Sequence, residues 1–199
     1  MAMTKAVRSR RDRWADWLVI GVVAVALSLG WGIKAWTEGG TERFTSPETG
    51  LTLHYPTGWL MSRTDGYLLK VRDPHSGLFK TTYAVMADRL DPARPMSLVD
   101  AVNATSVSRA RKLAAFRLLD IETVGEEGKP PDAVWSRYVY VDEKPDPFRE
   151  SLPVVVLGLD YTAVEGEHLY TYTLLAGEAD FEEAEKGFRA FIKDAGFGG

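Results

Sequence analysis

The chain has 199 residues, of which 45% are hydrophobic and 26% charged, and its formal net charge is −4. That is an ordinary globular balance, with room for one domain plus an appendage. Cysteine is absent, which excludes disulfides, thiolate zinc sites, iron–sulfur clusters, cysteine-attached haem and a lipoprotein anchor.

The charge is unevenly spread. Residues 1–36 carry six basic side chains (Lys5, Arg8, Arg10, Arg11, Arg13, Lys34) against Asp12 and Asp16, which leaves 18 basic and 26 acidic residues for 37–199. An acidic body speaks against nucleic acid as a partner, since that binding runs on clustered Lys and Arg.

Residues 1–16 read as a basic cytoplasmic N-terminus. Trp17 to Ile33 is seventeen residues without a charge. At ~1.5 Å per residue this run covers ~25 Å, slightly short of a ~30 Å hydrocarbon core. Trp14, Trp17, Trp31 and Trp36 supply headgroup-level indoles at both ends, and Lys34 snorkels to water. Residues 17–36 are therefore expected to form one transmembrane helix in a lipid bilayer. Gly21, Ala24 and Ser28 recur at near-helical spacing and offer a small-residue face for packing against another membrane helix. Five of the first thirteen residues are Lys or Arg, so the positive-inside rule puts the N-terminus in the cytoplasm and the C-terminal domain in the periplasm or at the cell exterior. The rival reading is a cleaved signal peptide. The apolar run is longer than such peptides use, and Lys34-Ala35-Trp36-Thr37-Glu38 lacks a small-x-small cleavage site. The segment is therefore read as a signal-anchor.

Residues 37–47, polar and glycine-containing, read as a linker, and 48–199 as the extracytoplasmic domain. Leu51 to Tyr55 alternates as a strand and is stopped by Pro56-Thr57-Gly58. Trp59–Ser62 and Tyr67–Arg72 flank the turn pair Asp65-Gly66, and Phe79–Leu90 forms a longer strand. A helix is predicted from a Ser97 N-cap to about Ala115, with Arg109, Arg111 and Lys112 at its C-terminal end, where the dipole favours cations. Strands follow at Arg117–Val124, Ala133–Val141, Pro153–Val164 and His168–Ala176, the last two joined through Glu165-Gly166-Glu167. Phe181, Ala184, Phe188 and Phe191/Ile192 stripe a final helix from Asp180 to about Asp194. The fold class is α+β, an antiparallel sheet flanked by helices.

Two motifs carry a family resemblance. They are an opening Ser46-x-x-x-Gly50-Leu51-x-Leu53-x-Tyr55-Pro56-x-Gly58-Trp59 and a closing Phe181-x-x-Ala184-x-x-x-Phe188-x-x-Phe191-Ile192. Over residues 44–195 the chain resembles the PsbP/Mog1-like family, in its membrane-anchored bacterial type. The resemblance implies a compact sandwich without a shared catalytic constellation, built for accessory or binding roles. Family members include photosystem II extrinsic subunits, a nuclear-transport cofactor of Ran, and bacterial lipoproteins or membrane-anchored proteins. The opening motif is itself a strand end, with Trp59 folded back onto the sheet as a core aromatic.

No catalytic, cofactor or metal set stands out. His54, His75 and His168 are isolated, Asp73 with His75 reads as a solvated turn, and there is no Gly-x-Ser-x-Gly elbow or phosphate-cradling loop. Asn103-Ala104-Thr105 fits a glycosylation sequon but falls within the predicted helix. Pro145, Pro147 and Phe148 form either a packed connection or a partner-docking loop. The expected function is a non-catalytic accessory subunit of a membrane complex, respiratory or photosynthetic, contacting integral membrane subunits. The alternative is a free-standing tethered module that binds a small ligand, lipid or peptide between sheet and helices.

Overall fold

The structure, a computed structural model, describes residues 17, 19–28, 40–64, 66–93, 96–126, 129, 131–143 and 153–196. The chain divides into two compact units, Met1–Thr41 and Glu42–Gly199.

In the first unit, residues 17 and 19–28 are helical (α1). Its described side chains are exposed, and the Ser28 hydroxyl donates to the Ala24 carbonyl at 2.8 Å. Residues 18 and 29–36 of the expected span lie outside the described residues. Among the described residues no helix is long and apolar enough to cross a membrane.

A two-stranded ribbon follows, β1 (Thr41–Thr45) and β2 (Thr52–Pro56), which from Glu42 on belongs to the second unit. Part of the stretch read as linker is thus strand. Its composition, TERFT, hid it, since Phe44 is the only apolar side chain and the pairing with β2 supplies the order. The buried Ser46 explains the opening motif locally. Its hydroxyl accepts from the Glu48 and Thr49 amides at 3.3 Å each and shapes the turn into β2.

A seven-stranded antiparallel sheet follows. Its strands are β3 (Leu60–Met61), β4 (Leu69–Arg72), β5 (Thr82–Arg89), β6 (Ala114–Val124), β7 (Ala133–Asp142), β8 (Val154–Glu165) and β9 (His168–Gly177), in spatial order β3-β4-β5-β9-β8-β7-β6. The β8–β9 hairpin closes in the expected place, with Glu165 opposite His168 and Gly166 at φ 60°. Helix α2 (Leu98–Ala110) lies between β5 and β6 in sequence, and α3 (Phe181–Asp194) closes the chain.

The two faces of the sheet differ in chemistry. One face packs against α3. Tyr83, Val85, Leu159, Tyr161, Tyr172 and Leu174 from the strands meet Phe181, Phe188, Phe191 and Ile192 from the helix, all buried. Aromatic rings dominate this core: Trp59 sits 4.6 Å from Tyr83, and Tyr83 sits 5.2 Å from Phe188 in an edge arrangement. Trp59 is thus a core aromatic, partly buried. Gly187 leaves room for the Tyr83 side chain beneath α3, since a Cβ there would stand 2.8 Å from the Tyr83 hydroxyl. That hydroxyl donates to the Ala184 carbonyl at 3.1 Å.

The opposite face bears α2, which packs on β6, β7 and β8. Ser97 caps it as predicted, its hydroxyl accepting from the Asp100 amide at 3.1 Å. The helix ends at Ala110, earlier than the continuing Arg109-Ala110-Arg111-Lys112-Leu113-Ala114-Ala115 run implies. The Arg109 carbonyl accepts from the Lys112 and Leu113 amides, and Ala114 is already paired with Val141. Strand pairing outweighs local helix propensity here. The entry to β6 is irregular, with Ala115 at φ 50° and a register shift between Ala114 and Arg117.

Candidate functional site

The alternation of β8 builds the site. Leu157, Leu159, Tyr161 and Ala163 face α3, so Val156, Gly158, Asp160 and Thr162 face α2. Directly opposite Asp160 stand Ser136 on β7 and Thr173 on β9, while Thr171 pairs with Thr162. A layer of buried hydroxyls therefore runs beneath α2, with one carboxylate at its centre: Asp160 is 2% exposed.

A buried carboxylate is stable only when its lone pairs are met. Three side chains meet them. Arg109 reaches down from the last turn of α2 and binds both Asp160 oxygens, Nη1 to Oδ2 and Nη2 to Oδ1, the second at 3.2 Å. Thr173 donates to Oδ1 at 2.8 Å, and the Tyr138 hydroxyl lies 3.5 Å from the same oxygen. The Arg109 guanidinium also stacks over the Tyr138 ring at 4.4 Å. Gly158 makes the stack possible, because a Cβ there would fall 2.2 Å from the Tyr138 ring. The tyrosine lies across the β8 backbone where any side chain would stand.

The electrostatics follow from burial. Desolvation opposes the Arg109 charge, but the Asp160 carboxylate outweighs it and holds the guanidinium above its usual pKa. Burial first, and Asp160 second, push the Tyr138 phenol well above its ordinary range, so this hydroxyl stays a neutral donor. Tyr140 is raised mainly by burial, then by Asp142.

Beside this cluster a groove of about 390 Å³ opens between the C-terminal half of α2 and strands β4, β5, β7 and β9. Lys70, Arg109 and Lys112 bring charge to it, Thr82, Thr105, Ser108 and Thr173 bring hydroxyls, and Ala84, Met86, Leu113 and Leu175 give it an apolar floor. A wider cleft of about 570 Å³ lies where Phe44 and Pro47 approach Met61, Arg63 and Tyr67. None of its lining charges is buried, so no comparable chemistry is concentrated there.

The sequence-derived residues fall elsewhere. Trp14, Trp31, Lys34, Trp36, Pro145, Pro147 and Phe148 lie outside the described residues. Trp17 is 71% exposed, and Gly21, Ala24 and Ser28 lie on α1. His54 is held by Asp194 across 2.6 Å, and His75 sits in a turn whose amide is capped by Asp73. Among the described residues no group of three His, Cys, Asp or Glu side chains is placed to hold a metal ion. The Arg109–Asp160 pair went unread in the sequence. Its signal was a lone Asp in the apolar run of β8, on the same face as the threonines of β9.

No protein-family model matches the sequence, and no curated protein matches it. Solved structures do. The chain is similar to the solution structure of cyanobacterial PsbP (CyanoP) from Synechocystis, at 13% identity and a TM-score of 0.55, covering 79% of this chain and 91% of that one. It is also similar to the Saccharomyces cerevisiae Ran-binding protein Mog1p (10% identity, TM-score 0.45, covering 74% of this chain and 84% of that one). A third is LpqN of Mycobacterium tuberculosis, described as involved in cell envelope biogenesis (10%, 0.43, 77% and 88%). The expected fold stands on the first of these: the chain has a PsbP-like fold, an α+β antiparallel sheet flanked by helices.

Proposed function

We propose that this chain is a non-catalytic binding module whose site is the groove between α2 and the sheet. The observation that carries the proposal is the Arg109–Asp160 pair. It fixes the C-terminal turn of α2 over polar strands where an apolar contact would otherwise be expected, and a groove lies beside it. The N-terminal half of α2 already has an apolar seat, Leu98 and Val102 against Val134. A buried ion pair is a weak source of stability compared with apolar packing. Its value here is positional: it holds the groove wall at a set distance from the floor. The test is a thermal-shift screen of the full chain against small-molecule pools, beside a Thr105→Trp variant whose indole fills the groove. A hit that raises the melting temperature of the wild type and leaves the variant unmoved supports the site. Hits that act equally on both would remove it.

A second reading places the module as an accessory subunit of a membrane complex, respiratory or photosynthetic, tethered by residues 17–36 with its domain outside. The supporting observation is that Ser28 satisfies its hydroxyl within α1, on the Ala24 carbonyl, which leaves Gly21, Ala24 and Ser28 free to act as a close-packing face. Gentle solubilisation should yield the chain together with a polytopic protein. Migration alone, or recovery from the soluble fraction, would count against this reading.

A further inference from the structure

One end of the domain carries leucines that the fold leaves outside, and the chain enters the domain at that same end. We infer that this end rests on a zwitterionic lipid surface, with Leu60 and Leu78 reaching into the headgroup layer, which rests on the tethered reading above.

Hydrogen bonds and strand register bring the parts together. Glu42, where the second unit begins, accepts from the Tyr55 hydroxyl at 2.8 Å and from the Gly58 amide at 3.4 Å. The point of entry is therefore beside the turn that leads into β3. Leu60 opens β3, opposite Arg72. Arg72 pairs in turn with Thr82, and the Asp73 amide donates to the Thr81 carbonyl. The loop 73–81 that holds Leu78 thus projects from the same end of the sheet. Leu60 is 63% exposed and Leu78 89%. Glu42 lies nine residues beyond Ile33, a reach of at most about 30 Å. A chain held in a bilayer by residues 17–36 keeps this end within that distance of the lipid.

The loop is framed from within. The Ser76 hydroxyl accepts from the Thr81 amide at 2.7 Å and donates to the Asp73 carbonyl at 3.1 Å. The Asp73 carboxylate accepts from the His75 amide, and the Lys80 ammonium donates to the Pro74 and Ser76 carbonyls. The Gly77 amide donates to Asp180, which ties the loop to the start of α3. Phe79 packs against the buried cluster of Tyr138, Tyr140 and Val156. Its neighbour Leu78 is left outside a frame that is already ordered, so docking costs little further conformational freedom.

The flanking charges select the kind of surface. Arg72 and Lys80 stand against Asp73 in the loop and against Glu178, Asp180, Glu182 and Glu183 at the start of α3. Such an end is not drawn to anionic headgroups. The drive is apolar insertion, which a zwitterionic bilayer accepts.

The chain has no cysteine, so single probes test this. The full chain is reconstituted into phosphatidylcholine vesicles that contain a spin-labelled lipid. A nitrobenzoxadiazole probe is placed on His75→Cys, exposed in the same loop. A second is placed on Val164→Cys, exposed beside the β8–β9 turn at the opposite end. The probe at 75 should lose most of its emission and the probe at 164 should keep it. Leu60→Glu/Leu78→Glu, both at exposed positions, should restore the emission at 75 while the chain still floats with the vesicles. Added salt should leave the quenching unchanged. Flotation with equal quenching at both positions, or none at either, overturns the inference and leaves the tether standing. Quenching that survives the double substitution removes the leucines from the contact, and quenching that requires anionic lipid or collapses in salt replaces insertion by charge; each overturns the inference. Emission at 75 that stays bright, while the double substitution strips the polytopic protein from gently solubilised membranes, assigns the leucines to a protein contact and overturns it too. A chain that does not float with the vesicles overturns the tethered reading and this inference with it.

Discussion

Replacing Arg109 by Met keeps a long apolar stem but removes the charge that neutralises Asp160. The carboxylate side chain is 4% exposed, and the guanidinium that meets it is 18% exposed, so solvent cannot take over the lost contact. Thr173 and Tyr138 would remain as donors to one oxygen, Oδ1, and Oδ2 would lose its partner. Breaking a buried pair on one side costs about 3–5 kcal/mol, against 1 kcal/mol or less for an exposed pair. For a domain of this size that is a fall in melting temperature of about 6–20 °C. Urea denaturation followed by tryptophan fluorescence at pH 7 measures it directly. The double variant Arg109→Met/Asp160→Leu should recover most of the loss. A cost under about 1 kcal/mol for Arg109→Met would refute the view that this pair is buried and matched.

Other outcomes follow from the same geometry. Gly158→Ala should destabilise by about 1–3 kcal/mol, the usual cost of overpacking, because its Cβ would meet the Tyr138 ring; an unchanged denaturation midpoint would mean the ring moves freely. Ser97→Ala should cost about 1 kcal/mol through loss of the α2 N-cap, read by the same urea titration. Tyr83→Phe should cost about 1 kcal/mol for its bond to the Ala184 carbonyl. Burial raises the phenols of Tyr83, Tyr138, Tyr140 and Tyr172 above their ordinary pKa. Their contribution to stability is therefore complete below about pH 10, the unfolded value, and is lost as pH rises towards the folded values. Stability measured between pH 9 and 12 should fall steeply on the alkaline side, and a flat profile would contradict the burial of these hydroxyls.

Much of the fold was legible because its signals are local. The Pro56-Thr57-Gly58 stop, the Glu165-Gly166-Glu167 turn, the Ser97 cap and the phenylalanine stripe of α3 each act within a few residues. Where order depends on pairing across the chain, the sequence was quieter. Strand β1 has one apolar residue and exists through β2, and the end of α2 is set by β6 pairing with β7. The site was hidden for the same reason. Arg109 and Asp160 are 51 residues apart, and a cation near a helix end already had a sufficient local explanation in the dipole. Gly158 belongs with them, since what requires a glycine there is the Tyr138 ring lying across it from the neighbouring strand.

Hydrogen exchange of the full chain, with and without the strongest ligand found by the pool screen, tests the central claim most directly. Binding in the groove predicts added protection in three places only: the C-terminal half of α2, β4 around Lys70, and β5 from Thr82 to Met86. Protection centred instead on residues 44–48 and 61–67, or no change under α2, would contradict it.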